Sequence, residues 1–194
     1  MQKLLVVSSA FNEEDNIEEF VEAINFNYEN FISKFQLNLK LELIIANNYS
    51  EDNTLRKLLD LKKKYLFLRV FDNNANYGPD ISLLNILKNN IGDYNLILCS
   101  DLEDPPELGF QMLEELILNK ELDACLACKS DNKFNILNLF RKLYYIVTSF
   151  GSRTKMVKGF HGFGVYRSRV IKNSIIYAKR AFPDIRKSLL WSIM

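Results

Sequence analysis

Leu98-Cys99-Ser100-Asp101-Leu102-Glu103-Asp104-Pro105-Pro106-Glu107 joins the end of an apolar run, begun at Leu96, to a cluster of carboxylates broken by two prolines. A run of this kind reads as a buried strand that delivers acids to the mouth of a sheet, where ligands of open α/β folds bind. Asp104 suits the cap of a following helix, Pro105 its first position, and Glu107, three residues after Asp104, completes a capping box. That leaves Asp101 and Glu103 without a structural duty. Two carboxylates two residues apart at a strand end suit a hard divalent cation that also carries a phosphate.

Outward from this stretch, strand and helix patterns alternate. Residues 3–8, 39–46, 66–71, 94–100 and 123–127 read as strands. Residues 15–28, 54–64, 81–90 and 105–119 read as helices, the first on the stripe Ile17, Phe20, Val21 and Ile24. The order predicts a single α/β domain with a mostly parallel sheet flanked by helices. Beyond Lys129, residues 134–150 read as one helix, 151–164 as a loop, 167–177 as a helix and 185–194 as a short amphipathic segment.

A chain of 194 residues suggests one domain and allows a full core. Its 48% hydrophobic and 25% charged residues are those of a soluble globular protein. No apolar run approaches the ~20 residues of a membrane span, and the N-terminus lacks the apolar length of a secretory signal. A cytoplasmic location is expected. The net charge of +1 hides an asymmetry: residues 1–128 sum to −11 and residues 129–194 to +12. A basic C-terminal third attracts anions such as lipid headgroups and lipid phosphates, or forms a solvated surface. A nucleic-acid-binding module would not need Asp101 and Glu103, so no nucleic acid is expected as a partner. Cys125 and Cys128 fall on a strand, where positions three apart face opposite sides. That suits neither a disulfide nor a shared metal, so core cysteines are expected.

Three further segments carry chemistry. Ser8-Ser9-Ala10-Phe11-Asn12-Glu13-Glu14-Asp15-Asn16-Ile17 closes the first strand, and Asn12 or Glu13 is also suited to capping the next helix. Ala46-Asn47-Asn48-Tyr49-Ser50-Glu51-Asp52-Asn53-Thr54 follows the second strand, with Ser50 and Asp52 also explained as turn or cap residues. Asn73-Asn74-Ala75-Asn76-Tyr77-Gly78-Pro79-Asp80 follows the third, where Gly78 permits close approach of backbone to a ligand. No Gly-rich phosphate loop follows the first strand. A dinucleotide-dependent oxidoreductase or a sugar nucleotidyltransferase is therefore disfavoured.

With Asp101-Leu-Glu-Asp-Pro-Pro-Glu, these segments resemble the ordered motifs of family 2 glycosyltransferases. The branch most resembled is that of the polyprenyl- and dolichyl-phosphate sugar transferases. The acidic stretch is similar to D-x-D-L-Q-x-P-P-E, with Asp101 at the second Asp, Cys99 at the first and Glu103 where Gln is common. The first segment resembles P-x-Y-N-E-x-x-N-I, and the second V-D-D-G-S-T-D-N-T, with Asn47 and Asn48 in place of both acids and Tyr49 in place of Gly. The third is similar to the R-N-x-G loop, with Asn73 near the usual Arg. Phe140-Arg141-Lys142-Leu143-Tyr144-Tyr145 and Gly159-Phe160-His161-Gly162-Phe163-Gly164 resemble later elements near the bilayer and the acceptor.

The resemblance implies a GT-A, Rossmann-like fold over residues 1–194, with a nucleotide-sugar half (1–128) and a basic, membrane-proximal acceptor half (129–194), the chain being shorter than its relatives. It implies a hexosyl-type transferase (EC 2.4) moving a sugar from a UDP- or GDP-linked donor to a polyprenyl phosphate by inverting displacement. Asp101 and Glu103 would be catalytic and would hold Mg²⁺ or Mn²⁺. Ser9, Ala10, Phe11, Glu13, Asn47, Asn48, Gly78, Ser100 and Asp101 would bind the nucleotide, and Lys129, Arg141, Arg153 and Lys158 the acceptor phosphate. Cell-envelope polysaccharide assembly at the inner face of the membrane follows from the same resemblance, and homo-oligomers remain open. Two alternatives stand beside it: transfer to a saccharide hydroxyl, and a catalytically weakened nucleotide-sugar-binding relative.

Overall fold

The computed structural model describes residues 1–128, 159–178 and 185–193. Its first strand, β1 (Gln2–Ala10), leads to α1 (Ile17–Phe35), β2 (Leu39–Asn47), α2 (Thr54–Lys64), β3 (Leu68–Asp72), α3 (Gly78–Asn89), β4 (Tyr94–Ile97), α4 (Pro106–Leu118) and β5 (Ala124–Cys128). After the undescribed stretch come β6 (Phe160–Arg167), α5 (Ser168–Ala178) and α6 (Ile185–Ile193). The predicted helix at 134–150 and the four predicted acceptor cations, Lys129, Arg141, Arg153 and Lys158, lie outside the described residues.

The sheet runs β3-β2-β1-β4-β6-β5. β1 pairs in parallel with β2 and β4, and β2 with β3, while β6 runs antiparallel between β4 and β5. This is the mostly parallel α/β sheet that the alternating pattern predicts. Alternation along the strands sends successive side chains to opposite faces. Leu4, Val6, Leu43 and Ile45 pack with Phe20, Leu58 and Leu113 of α1, α2 and α4. Leu5, Val7, Ile44 and Ala46 pack on the other face with Leu87, Ile171 and Leu189 of α3, α5 and α6. Both faces being covered explains why β1 and β2 read as near-continuous apolar runs rather than as alternation.

The sequence misses one element. Residues 160–164, expected to be loop, form the first half of β6. Glycine normally punctuates, but here it permits close approach of chains. A Cβ on Gly164 would lie 2.7 Å from the Cys125 carbonyl oxygen and 2.9 Å from the Tyr166 hydroxyl. Tyr166 is fully buried and donates its hydroxyl hydrogen to the Gly162 carbonyl at 3.2 Å. β6 also pushes β5 to the sheet edge. There Cys125 is half-buried and Cys128 exposed, which corrects the expectation of core cysteines.

Candidate active site

β1 has β2 on one side and β4 on the other, so the chain connections part at its C-terminal end. The loops after β1, β2, β3 and β4 all open at this edge, the place where open α/β sheets bind ligands.

The loops after β1 and β2 are laced together. Asn12 donates its N–H to Ser50 Oγ (3.1 Å) and accepts the Glu51 N–H on Oδ1 (2.8 Å). The Glu13 N–H donates to Thr54 Oγ1 (2.8 Å), and the Glu14 N–H to Asp52 Oδ2 (3.1 Å). Glu14 Oε2 accepts from both the backbone and the side chain of Asn53. Neither Asn12 nor Glu13 caps α1: the cap position is Asn16, which makes no side-chain cap bond. Asp52 accepts the Thr54 N–H at 2.9 Å and so serves the start of α2. Burial pulls the Asp52 pKa up, but hydrogen bonds from Thr54 and from the Glu14 N–H outweigh it and leave it lowered.

Asn47 and Asn48 are both buried, and they face opposite sides of the sheet. Asn48 lies on the α3 side, where its Oδ1 accepts from Asn73 Nδ2 (3.2 Å), the Tyr77 N–H (3.0 Å) and Ser82 Oγ (3.1 Å). Its Nδ2 donates to Asn76 Oδ1 at 2.7 Å. This amide therefore holds the β3–α3 loop in place. Asn73, near the position of an expected Arg, spends its amide on Asn48 and Ser82. Asn47 lies on the α1/α2 side and donates from Nδ2 to Asp72 Oδ1 at 2.7 Å.

The loop after β4 corrects two expectations. α4 begins at Pro106 with Pro105 at the cap position and no side-chain cap bond, so Asp104 and Glu107 form no capping box there; Asp104 is buried instead. Asp101 also has a structural duty, since its Oδ1 accepts the Glu103 N–H at 3.1 Å. Ser100 is buried and ties this loop to β1 by donating to the Ser9 carbonyl at 3.1 Å. Asp101 is partly exposed, while Glu103 and Cys99 are exposed. Among the described residues, no three His, Cys, Asp or Glu side chains are grouped to hold a metal ion.

Among the described residues, four non-glycine residues have positive φ, and three of them are in these loops: Asn12 (56°), Tyr49 (65°) and Leu102 (60°). Side chains in the left-handed region are strained, and such strain concentrates at ligand sites. Phe11, Tyr49 and Tyr77 are also exposed at this edge. A cavity of about 130 Å³ lies beside the β1/β4 junction, lined by Ser9, Leu98, Cys99, Gly162, Phe163 and Leu189 among others. A larger hollow of about 430 Å³ opens at the opposite edge near Gln2, Asp93 and Arg167. Strand topology favours the C-terminal edge over that hollow as the ligand site. Sequence reasoning passed over Asp72 and Ser82. Asp72 carries the same signal as Asp101, an acid directly after an apolar strand.

Residues 5–175 match the profile of the family described as glycosyl transferase family 2. The chain belongs to that family. It is 26% identical over 113 residues to an uncharacterized glycosyltransferase of Synechocystis, a match covering 58% of this chain and 34% of that relative. The fold is that of solved GT-A glycosyltransferases. TarS of S. aureus, in complex with UDP-GlcNAc, superimposes with a TM-score of 0.60 at 17% identity, over 98% of this chain and 54% of that one. The mannosyltransferase PcManGT of Pyrobaculum calidifontis, in complex with GDP-Man and Mn²⁺, gives 0.59 at 17% identity, over 96% and 50%. Mannosyl-3-phosphoglycerate synthase of Rubrobacter xylanophilus gives 0.65 at 14% identity, over 100% and 63%. This family 2 chain spans about a third of the length of the curated relative and between half and two thirds of these structures. Among the described residues, no helix is long and apolar enough to cross a membrane.

Proposed function

We propose that this chain is the donor-binding domain of a glycosyltransferase that moves a sugar from a UDP- or GDP-linked donor to a polyprenyl phosphate. The observation that carries the reading is the β1/β4 junction, where Ser100 is tied to Ser9 and Asp101 stands at the mouth of the crevice, in family 2 order. Ser9, Ala10, Phe11, Glu13, Asn47, Gly78 and Ser100 border the nucleotide, and Asn48 acts by holding the loop that carries Gly78. Two structures of the same fold support the donor class: TarS in complex with UDP-GlcNAc, and PcManGT in complex with GDP-Man and Mn²⁺.

The donor set fits a hard cation that borrows ligands from its substrate. Mg²⁺ is held by one or two carboxylates plus substrate phosphates, and Asp101 and Glu103 are the carboxylates assigned to it. Cys99 offers a thiol, a poor ligand for such an ion. Bound there, the cation would neutralise charge on the departing nucleoside diphosphate. An acceptor phosphate oxygen bonds to the anomeric carbon as the bond to the donor's phosphate oxygen breaks, and the configuration inverts. A phosphate with a second pKa near ~6 is ionised at neutral pH and needs no general base, only cations to hold it. The C-terminal third, at +12, supplies them, with Lys129, Arg141, Arg153 and Lys158 as the candidates. The same charge favours a peripheral position on an anionic membrane.

Calorimetric titration of UDP and GDP, with and without Mn²⁺, tests the donor site. Metal-dependent binding that disappears in Asp101→Ala is the expected result; a folded sample that binds neither nucleotide overturns the reading. A second reading, nucleotide-sugar binding without turnover, is favoured by the thiol at Cys99 and by the absence of acids at Asn47 and Asn48. Transfer of labelled sugar to polyprenyl phosphate or to a saccharide acceptor separates the two.

A further inference from the structure

Ala10, Asn47 and Asp72 stand in register across β1, β2 and β3, at the C-terminal edge of the sheet. Residues in register on neighbouring strands share a face. Asn47 is buried, accepts the Ser50 N–H on Oδ1 at 3.4 Å, and donates from Nδ2 to Asp72 Oδ1 at 2.7 Å. The neutral amide fills the interior end of this pair, and the charge sits at the exposed end. That division is physically sensible, because a charge is far cheaper at the surface than inside. Among the described residues Asp72 forms no ion pair. Arg69, two residues earlier on β3, is committed to Glu42 and Asn90. Asp72 is thus a carboxylate oriented by a buried donor, with no cation paired to it among the described residues.

We propose that Asp72 recognises the nucleoside of the donor, accepting a hydrogen bond from a ribose hydroxyl or a base N–H. This rests on the proposed donor site and adds to it the residue that reads the nucleoside. A carboxylate repels phosphate, so the Asp72 end of the edge takes the uncharged part of the nucleotide and leaves the diphosphate towards Asp101. Phe11, Tyr49 and Tyr77, exposed on the three surrounding loops, supply ring faces of the kind on which a base stacks. The pairing also gives Asn47 a reason: an acid there would place a second carboxylate against Asp72 at hydrogen-bond distance.

The test is calorimetry of UDP, GDP and inorganic pyrophosphate, each with Mn²⁺, on the full chain and on Asp72→Asn. Hydrogen bonds to charged groups predict nucleotide binding about tenfold to a hundredfold weaker in the variant, with pyrophosphate affinity and melting temperature unchanged. Nucleotide affinity within twofold of wild type in Asp72→Asn, or an equal loss for pyrophosphate, overturns the assignment. A wild-type chain that binds no nucleotide overturns the proposed donor site, and this inference with it. Should Asp72→Asn melt early, Asp72→Ser keeps an oxygen facing the Asn47 amide without the charge and serves the same comparison.

Discussion

Replacing Asn48 by alanine should loosen the whole β3–α3 connection. The side chain is 2% exposed, accepts three hydrogen bonds on Oδ1 and donates one from Nδ2. Each neutral hydrogen bond contributes about 1 kcal/mol net, and a buried group left unsatisfied costs about 1–3 kcal/mol. Ser82 is 1% exposed and would keep Asn73 as its remaining partner, whereas Tyr77 and Asn76 are near water and would be partly resolvated. The loss for Asn48→Ala is then about 2–4 kcal/mol, or roughly 4–16 °C in melting temperature for a chain of this size. Asn48→Asp makes an informative contrast. A carboxylate can accept all three donors, which offsets the burial of its charge and the lost donation to Asn76, so its cost should fall below that of Asn48→Ala. Urea unfolding followed by circular dichroism reads both variants at constant pH. An Asn48→Ala cost under about 0.5 kcal/mol, or an Asn48→Asp cost equal to it, would refute the hub. Either result would mean that water or rearranged asparagines satisfy the loop without this side chain.

Further outcomes follow from single contacts. Gly164→Ala should destabilise by about 1–3 kcal/mol through overpacking, because the added Cβ would meet the Cys125 carbonyl at 2.7 Å. Gly78→Ala, with nothing within 4 Å of its Cβ and φ of +77°, should cost only backbone strain of about 1 kcal/mol; denaturation midpoints compare the two. Tyr49→Gly should stabilise the chain by about 0.5–1 kcal/mol, since it relieves a left-handed tyrosine. The same change should weaken nucleotide binding if the ring stacks on the base; a destabilised variant would show that the ring packs after all. Glu42 tests acid stability. Burial raises its pKa, but hydrogen bonds and charge from Lys3 and Arg69 outweigh that and leave it lowered. Its stabilisation is therefore full above the unfolded value of 4.5 and is lost as pH falls through the lower folded value. Glu42→Gln should flatten the decline in melting temperature below about pH 4.5, and an unchanged acid limb would show that the pair contributes nothing.

The element pattern was largely legible because it depends on neighbours in sequence. Ile17, Phe20, Val21 and Ile24 make a helical stripe wherever the chain goes, and α2 begins and ends where the sequence places it, at Thr54 and Lys64. Strand ends were less sharp: β3 extends to Asp72, and that one residue brings the Asn47 partner into view. The capping box at Asp104 was a sound local inference that the fold overrode. Pro105 takes the cap position in extended conformation, and Asp104 turns inward. β6 was illegible for a different reason. Its glycines mimic a loop, and only the packing of Tyr166 and the Cys125 carbonyl shows why side chains are excluded there.

By itself, the sequence determined the alternating α/β order, the apolar strands and the acids that follow them, because strand and helix periodicity and capping are short-range. Only the tertiary structure decided which polar groups meet. Asn48 with Ser82, Asn47 with Asp72, Asn12 with Ser50 and Ser100 with Ser9 are separated by 25 to 91 residues along the chain. Their meeting depends on strand order and register, and a slip of one residue would turn each side chain to the other face. The candidate site is therefore written in the sequence as a set of strand ends and completed by the sheet that sets those ends side by side.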